Sequence, residues 1–211
     1  MNFKFSKLSP GDWKEAYKER KTAIKQRLED FSSVQPERYI YELFYCILTP
    51  QSRAINAESA VKTLYERDFA NNNFDATDIL LKSKVRFHNT KNVRLKDAKK
   101  VFPELLSKVG DSNIPTKELR MFIYKTVNGL GMKESSHFLR NIGFKNLAIL
   151  DRHILKHLVH HKVIVDIPRT LTTRKYLEIE NDWLAYSKSI GIPLDELDLL
   201  FWSMEAGEIL K

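Results

Sequence analysis

The sequence predicts an all-α fold, and three observations lead there. Apolar residues recur at helical spacing through nearly every segment, and the segments are joined by short polar, glycine- or proline-marked connections. Only "HHKVIVDIP", residues 160–168, has the character of a strand, and it is short. No fixed-period repeat, low-complexity tract or long linker interrupts the pattern. About ten helices with short connections are expected.

Each block justifies its helix separately. "SPGDWKEAYKERKTAIKQRLEDF" opens with Ser9 as N-cap, Pro10 at the first helical position and Asp12 where a capping box places an acid. Its apolar stripe is Trp13, Ala16, Tyr17, Ile24 and Leu28. "PERYIYELFYCIL" is apolar on nearly every side, the signature of a central core helix. "RAINAESAVKTLYERDF", "KNVRLKDAKKVFPELLSKV" and "KELRMFIYKTVNGL" keep the same period. After Asp151, "ILKHLVHHKVI" offers Ile154, Leu155, Leu158 and Val159 to a core. "TTRKYLEIENDWLAYSKSIG" and "PLDELDLLFWSMEAGEILK" complete the set.

Composition bounds the function. A chain of 211 residues suits one compact unit or two small lobes. Lys and Arg number 35 against 27 acids, a net charge of +8 that favours a polyanionic partner. The positive residues are scattered, so folding must assemble any basic surface. Cys46 is the single cysteine, which excludes an intrachain disulfide and a Cys-ligated zinc or iron–sulfur site within one chain. Its apolar setting predicts a buried thiol. The N-terminus lacks the apolar core of a signal peptide, and no apolar run has bilayer-spanning length, so a cytoplasmic, intracellular protein without membrane association is expected.

Chemistry concentrates in "NGLGMKESSHFLRNIGFKNLAILDRH", residues 128–153. Gly129 and Gly131 bracket Leu130 between two helical segments. Glycines there permit positive φ and close approach of another molecule, and the next helix presents early N–H groups that suit a phosphate. Taken alone this is equally an ordinary helix–turn–helix. Lys133 follows the turn and shares a helical face with His137 and Arg140, while Phe138, Leu139 and Ile142 point elsewhere. It is either a solvated helix lysine or an amine able to attack a sugar carbon and form a Schiff base. His137 and Arg140 would supply positive surroundings or bind phosphates. Asp151 precedes an apolar-periodic segment where an N-cap belongs. An ionised carboxylate there could also stabilise the positive charge of a breaking glycosidic bond.

Hairpin, lysine and spaced aspartate together resemble the helix-hairpin-helix DNA glycosylase superfamily. More narrowly, "GLGMKESSHFLRNIGFKNLAILDRHILK" resembles the archaeal-type 8-oxoguanine DNA glycosylase/lyases, the Ogg2 type. "CILTPQSRA", "RFHNTK", "IPRTLTTRKYLEIE" and "LDLLFWSMEAGEILK" resemble further parts of that family, so the likeness spans most of residues 40–211. The resemblance implies two helical lobes with the active site in the cleft between them. One lobe would be residues 36–148, ending in the helix-hairpin-helix motif at about 118–143. The other would be discontinuous, residues 1–35 with 149–211.

It also implies a function: base-excision DNA repair by a bifunctional DNA N-glycosylase and β-elimination lyase, nucleoid-associated in function. Lys133 would be the nucleophile and Asp151 its assistant. Phe87 and Trp202 would sandwich the flipped base, and Lys211 would help read 8-oxoguanine through its carboxylate region. Gly129, Gly131, His137 and Arg140 would contact DNA, and Gln51 would probe the gap left by the extruded base. The implied partner is double-stranded DNA carrying 8-oxoguanine or an abasic site, met by a monomer. No metal or redox cofactor is required, although a monovalent cation at the hairpin carbonyls near Gly129 and Gly131 belongs to the implied picture. Two alternatives stay open on the residues: the same chemistry on another oxidised base such as an oxidised pyrimidine, and a non-catalytic helix-hairpin-helix DNA-binding module. A metal enzyme built on His153, His157 and His160 is disfavoured, because seven residues of helix separate the outer two by about 10.5 Å.

Overall fold

The computed structural model describes residues 3–6 and 8–209. In order these form β1 (Phe3–Lys4), α1 (Trp13–Ser32), α2 (Tyr39–Leu48), α3 (Ala54–Glu66), α4 (Thr77–Lys82), α5 (His88–Val109), α6 (Thr116–Thr126), α7 (Met132–Asn141), α8 (Arg152–His160), α9 (Thr173–Ile190), α10 (Leu194–Ala206) and β2 (Glu208–Ile209). Single 3-10 turns lead into α1 and α2. No helix among the described residues is long and apolar enough to cross a membrane. The chain divides into two compact units, residues 34–142 and residues 1–33 with 143–211.

In the unit 34–142, α2 is the central post. Every residue from Ile40 to Leu48 is buried, which explains why its sequence lacks a polar face. Helices α3, α5 and α7 pack around it. Cys46 is fully buried there, and burial pushes its thiol well above the usual range. The six-residue α4 escapes a periodicity reading because it spans fewer than two turns.

In the other unit, α1 packs along α10. The Tyr17 hydroxyl donates to Glu196 at 2.6 Å, and the fully buried Arg20 donates to the Ser203 hydroxyl at 3.0 Å. The chain ends meet in a two-residue antiparallel ribbon, β1 against β2, that no local pattern could announce. Helix α9 begins under a Thr172 side-chain cap and ends at Gly191.

Two local expectations change. The Ser9 side chain makes no capping hydrogen bond, because Pro10–Asp12 forms a 3-10 turn before α1 begins. "HHKVIVDIP" is not a strand: Val163 N–H donates 2.8 Å to the Leu158 carbonyl, closing the end of α8, and Lys162 adopts φ +57°. Satisfying the helix terminus outweighs the β-propensity of Val-Ile-Val, which finds no partner strand among the described residues.

Of the histidines in α8 and the turn after it, His157 is buried and His161 half-buried, and both join an aromatic stack. His157 stacks on Phe201 at 4.6 Å between ring centroids, and His161 stacks on it at 5.0 Å. No group of three metal-ligating side chains occurs among the described residues. Burial drives both imidazoles down from 6.5 to about 4. The unfolded chain therefore binds these protons between pH 6.5 and 4 while the fold refuses them, so the stability they contribute is lost as pH falls through that window. For His157 the loss is roughly 2–3 kcal/mol. Urea midpoints should decline from pH 6.5 to 4, and His157→Phe should flatten part of the decline; an unchanged slope would refute the assignment.

Candidate active site

The helix-hairpin-helix lies within the unit 34–142. Helices α6 and α7 are tied together by the buried Arg120, which donates to the Ser136 hydroxyl at 3.2 Å. Between them Leu130, 5% exposed, anchors the turn in the core, and its N–H closes on the Val127 carbonyl at 3.2 Å. Gly129 adopts φ +91°, and the Arg94 side chain occupies the space a Cβ would need. The backbone conformation is what calls for glycine there, since the flexible Arg94 end could move aside. Gly131 caps α7, with its N–H donating to Glu134 Oε2 at 3.2 Å. The first-turn N–H groups of Met132 and Lys133 make no backbone hydrogen bond among the described residues.

Lys133 projects from this first turn and is one-third exposed. Its Nζ lies 3.0 Å from Glu134 Oε1. One carboxylate thus holds the hairpin N–H with one oxygen and the lysine with the other, fixing the amine relative to the turn. Glu134 did not figure among the sequence-predicted residues. Its signal was a capping pattern, a glutamate three positions after the N-cap.

His137 and Arg140 do not form the exposed basic face expected of them. Helix α7 is buried from Ser135 through Asn141. His137 sits edge-on to Tyr45 at 5.7 Å, and Arg140, 4% exposed, donates to Asn141 Oδ1 at 3.2 Å. Both side chains are packed against α2 and their own neighbours.

Asp151 caps α8 in the unit 1–33 with 143–211. Its Oδ1 accepts from His153 N–H at 2.8 Å and Ile154 N–H at 2.9 Å, while Oδ2 accepts no hydrogen bond among the described residues. The cap needs one oxygen and leaves the other. The preceding segment is strapped to its surroundings by three buried side chains: Asp195 accepts from Asn146 N–H at 3.1 Å, Glu180 from Ala148 N–H at 2.9 Å, and the Tyr176 hydroxyl donates to the Ala148 carbonyl. Three struts make the carboxylate's position rigid. Their partners are backbone groups far away in sequence, so nothing local marks them. Downstream, His153 Nδ1 meets Glu205 Oε2 at 3.1 Å, three residues beyond the half-buried Trp202.

Phe87 and Gln51 share an uncommon conformation. Phe87, 52% exposed, holds φ +59°, and the exposed Gln51 holds φ +57°. A bulky residue in the left-handed region costs about 1–3 kcal/mol and persists where its surroundings impose it. The Arg86 guanidinium lies 5.5 Å from the Phe87 ring centre. Lys211 lies outside the described residues.

Comparison with known proteins places this arrangement. The family model described as 8-oxoguanine DNA glycosylase matches residues 24–192. A Fusobacterium nucleatum protein named 8-oxoguanine DNA glycosylase/AP lyase is 42% identical over 204 residues, covering 92% of this chain and 94% of its own. The crystal structure of the 8-oxoguanine DNA glycosylase of Thermotoga maritima superposes with a TM-score of 0.85 at 26% identity, covering 96% of this chain and 98% of its own. The Methanocaldococcus jannaschii 8-oxoguanine glycosylase/lyase, crystallised with a 15mer DNA containing 8-oxoguanine, superposes with a TM-score of 0.84 at 30% identity over 96% of this chain and 99% of its own. On the family match and the near-complete alignment with its relatives, the chain belongs to the 8-oxoguanine DNA glycosylase family.

Proposed function

We propose that this protein is a base-excision DNA repair enzyme, a bifunctional 8-oxoguanine DNA glycosylase and abasic-site lyase acting on double-stranded DNA. One observation carries the reading within a chain of this family. Lys133 stands in the first turn after a glycine hairpin, and Asp151 caps its helix with one oxygen while the other accepts nothing among the described residues.

The chemistry follows from those groups. The damaged nucleotide leaves the stack, at a cost of a few kcal/mol, and Phe87 with Trp202 receives the flat base. Lys133 must shed a proton before it attacks, and the Glu134 carboxylate 3.0 Å away is placed to draw it off. Nζ then bonds to C1′ while the C1′–N bond breaks, and the base departs with the bonding pair and a proton. Asp151 stabilises the positive charge that builds on the sugar. Ring opening gives an imine; loss of a C2′ proton expels the 3′ phosphate by β-elimination, and water releases the enzyme.

Hairpin backbone groups carry the phosphate contacts, with the N–H groups of Met132 and Lys133, which make no backbone hydrogen bond among the described residues, at a helix N-terminus. The Gly131 carbonyl is engaged by both the Ser135 N–H and the Ser135 hydroxyl, so it fits poorly as a cation ligand. The Gly129 carbonyl accepts no backbone hydrogen bond among the described residues and fits better. A monovalent cation held there would strengthen the hairpin's attraction for a phosphate.

Borohydride reduction during turnover tests the reading. A covalent adduct should form with an 8-oxoguanine duplex and an abasic duplex but not with undamaged DNA. No adduct would leave a binding module, and faster cleavage of a thymine glycol duplex would replace the substrate.

A further inference from the structure

Lys91 is a buried amine held away from solvent. Its side chain is 2% exposed, and burial, reinforced by the neighbouring Arg94 and Arg86 charges, lowers it to about 8. A buried amine of that kind is often a nucleophile. Here all three donor directions are taken: Nζ donates to the Leu48 carbonyl at 2.7 Å, the Pro50 carbonyl at 2.7 Å and the Ser52 hydroxyl at 3.1 Å. Those acceptors line the turn that carries Gln51. The same Ser52 hydroxyl accepts from Arg86 N–H at 3.0 Å, and the Arg86–Phe87 turn opens the helix on which Lys91 stands. One ammonium thus ties the turn of Gln51, through Ser52, to the turn of Phe87, two of the unit's left-handed residues.

We propose that Lys91 is a positioning residue for base excision: through Ser52 it clamps the turn of Gln51 to the turn of Phe87 and presents the two as a rigid pair to the DNA. The proposal rests on the reading that Phe87 receives the flipped base and Gln51 fills the space it leaves. Both residues are strained and exposed, conditions under which a side chain would otherwise relax and wander. The three carbonyl and hydroxyl acceptors match the three N–H bonds of an ammonium, whereas a neutral side chain of equal length would leave buried carbonyls unpaired. No phosphate can be the target of this charge, because it is shut inside the fold.

The test separates extrusion from lyase chemistry. Lys91→Met keeps the stem and removes the donors; Ser52→Ala breaks the link to Arg86 with little risk to folding, and Ser52→Thr retains the hydroxyl. Single-turnover excision of 8-oxoguanine should fall about 10–100-fold in Lys91→Met and by a smaller factor in Ser52→Ala, since small misplacements are costly in rate. Cleavage of a pre-formed abasic duplex, which has no base to receive, should fall by less than about 3-fold in both. Ser52→Thr should restore excision. Phe87→Ala serves as the reference. If it loses excision while Lys91→Met and Ser52→Ala keep it, the clamp alone is overturned. If Phe87→Ala excises normally, the reading of Phe87 fails and takes the clamp's purpose with it. Equal losses on both substrates would reduce Lys91 to fold stability and overturn the proposal.

Discussion

Lys133→Gln is expected to abolish the borohydride adduct and to lower excision and strand cleavage roughly 10³-fold or more, as loss of a covalent nucleophile does. The amide retains much of the side chain's length but has no nucleophilic lone pair. Little else should change. The ion pair it removes joins a lysine one-third exposed to a neighbouring glutamate, and such pairs contribute about 0–1 kcal/mol. Glu134 keeps its hydrogen bond to Gly131 N–H, so the hairpin holds its shape. Duplex affinity should therefore stay within a few-fold of the parent, measured by gel shift at fixed salt. An adduct surviving in this variant would move the nucleophile to another amine.

Replacing Asp151 should separate two roles that coincide in one side chain. As an N-cap, Asp151 contributes about 1 kcal/mol through its Oδ1 hydrogen bonds, and Asn caps nearly as well. As a charge stabiliser, it needs the ionised carboxylate, which Asn lacks. Asp151→Asn should thus remain within about 0.5 kcal/mol of the parent in urea unfolding, whereas Asp151→Ala loses the cap. Both should lose excision by about 10²–10³-fold, the scale of removing one stabilising group from a developing charge. If Asp151→Asn retains near-parental excision, the residue is a cap and no more.

These two residues were legible in the sequence because their constraints are local. A glycine hairpin dictates where the next helix starts, and that places Lys133 in a first turn; apolar periodicity after Asp151 dictates a cap. Glu134 was legible in principle through the same capping pattern. The burial of His137 and Arg140 was not legible, for a physical reason. Helical spacing says which side chains share a face, not what covers that face, and α2 with its neighbours covers this one. The left-handed backbone of Phe87 and Gln51 was invisible, since neither residue type favours it.

The sequence by itself determined the helical class, most helix positions, the hairpin and the spacing of lysine and aspartate, because each depends on interactions within a turn or two of chain. Only the tertiary structure decided the rest. The ribbon joining the chain ends, the Tyr176, Glu180 and Asp195 struts behind Asp151, the stacked neutral histidines and the Lys91 clamp all pair groups distant in sequence. Lys91 falls in step with the buried Leu95 and Ala98, so a charge on an apolar stripe was its one sequence signal. What it donates to could be known only once folding had brought the 48–52 turn against α5, since buried polar groups must find partners and the fold alone supplies them.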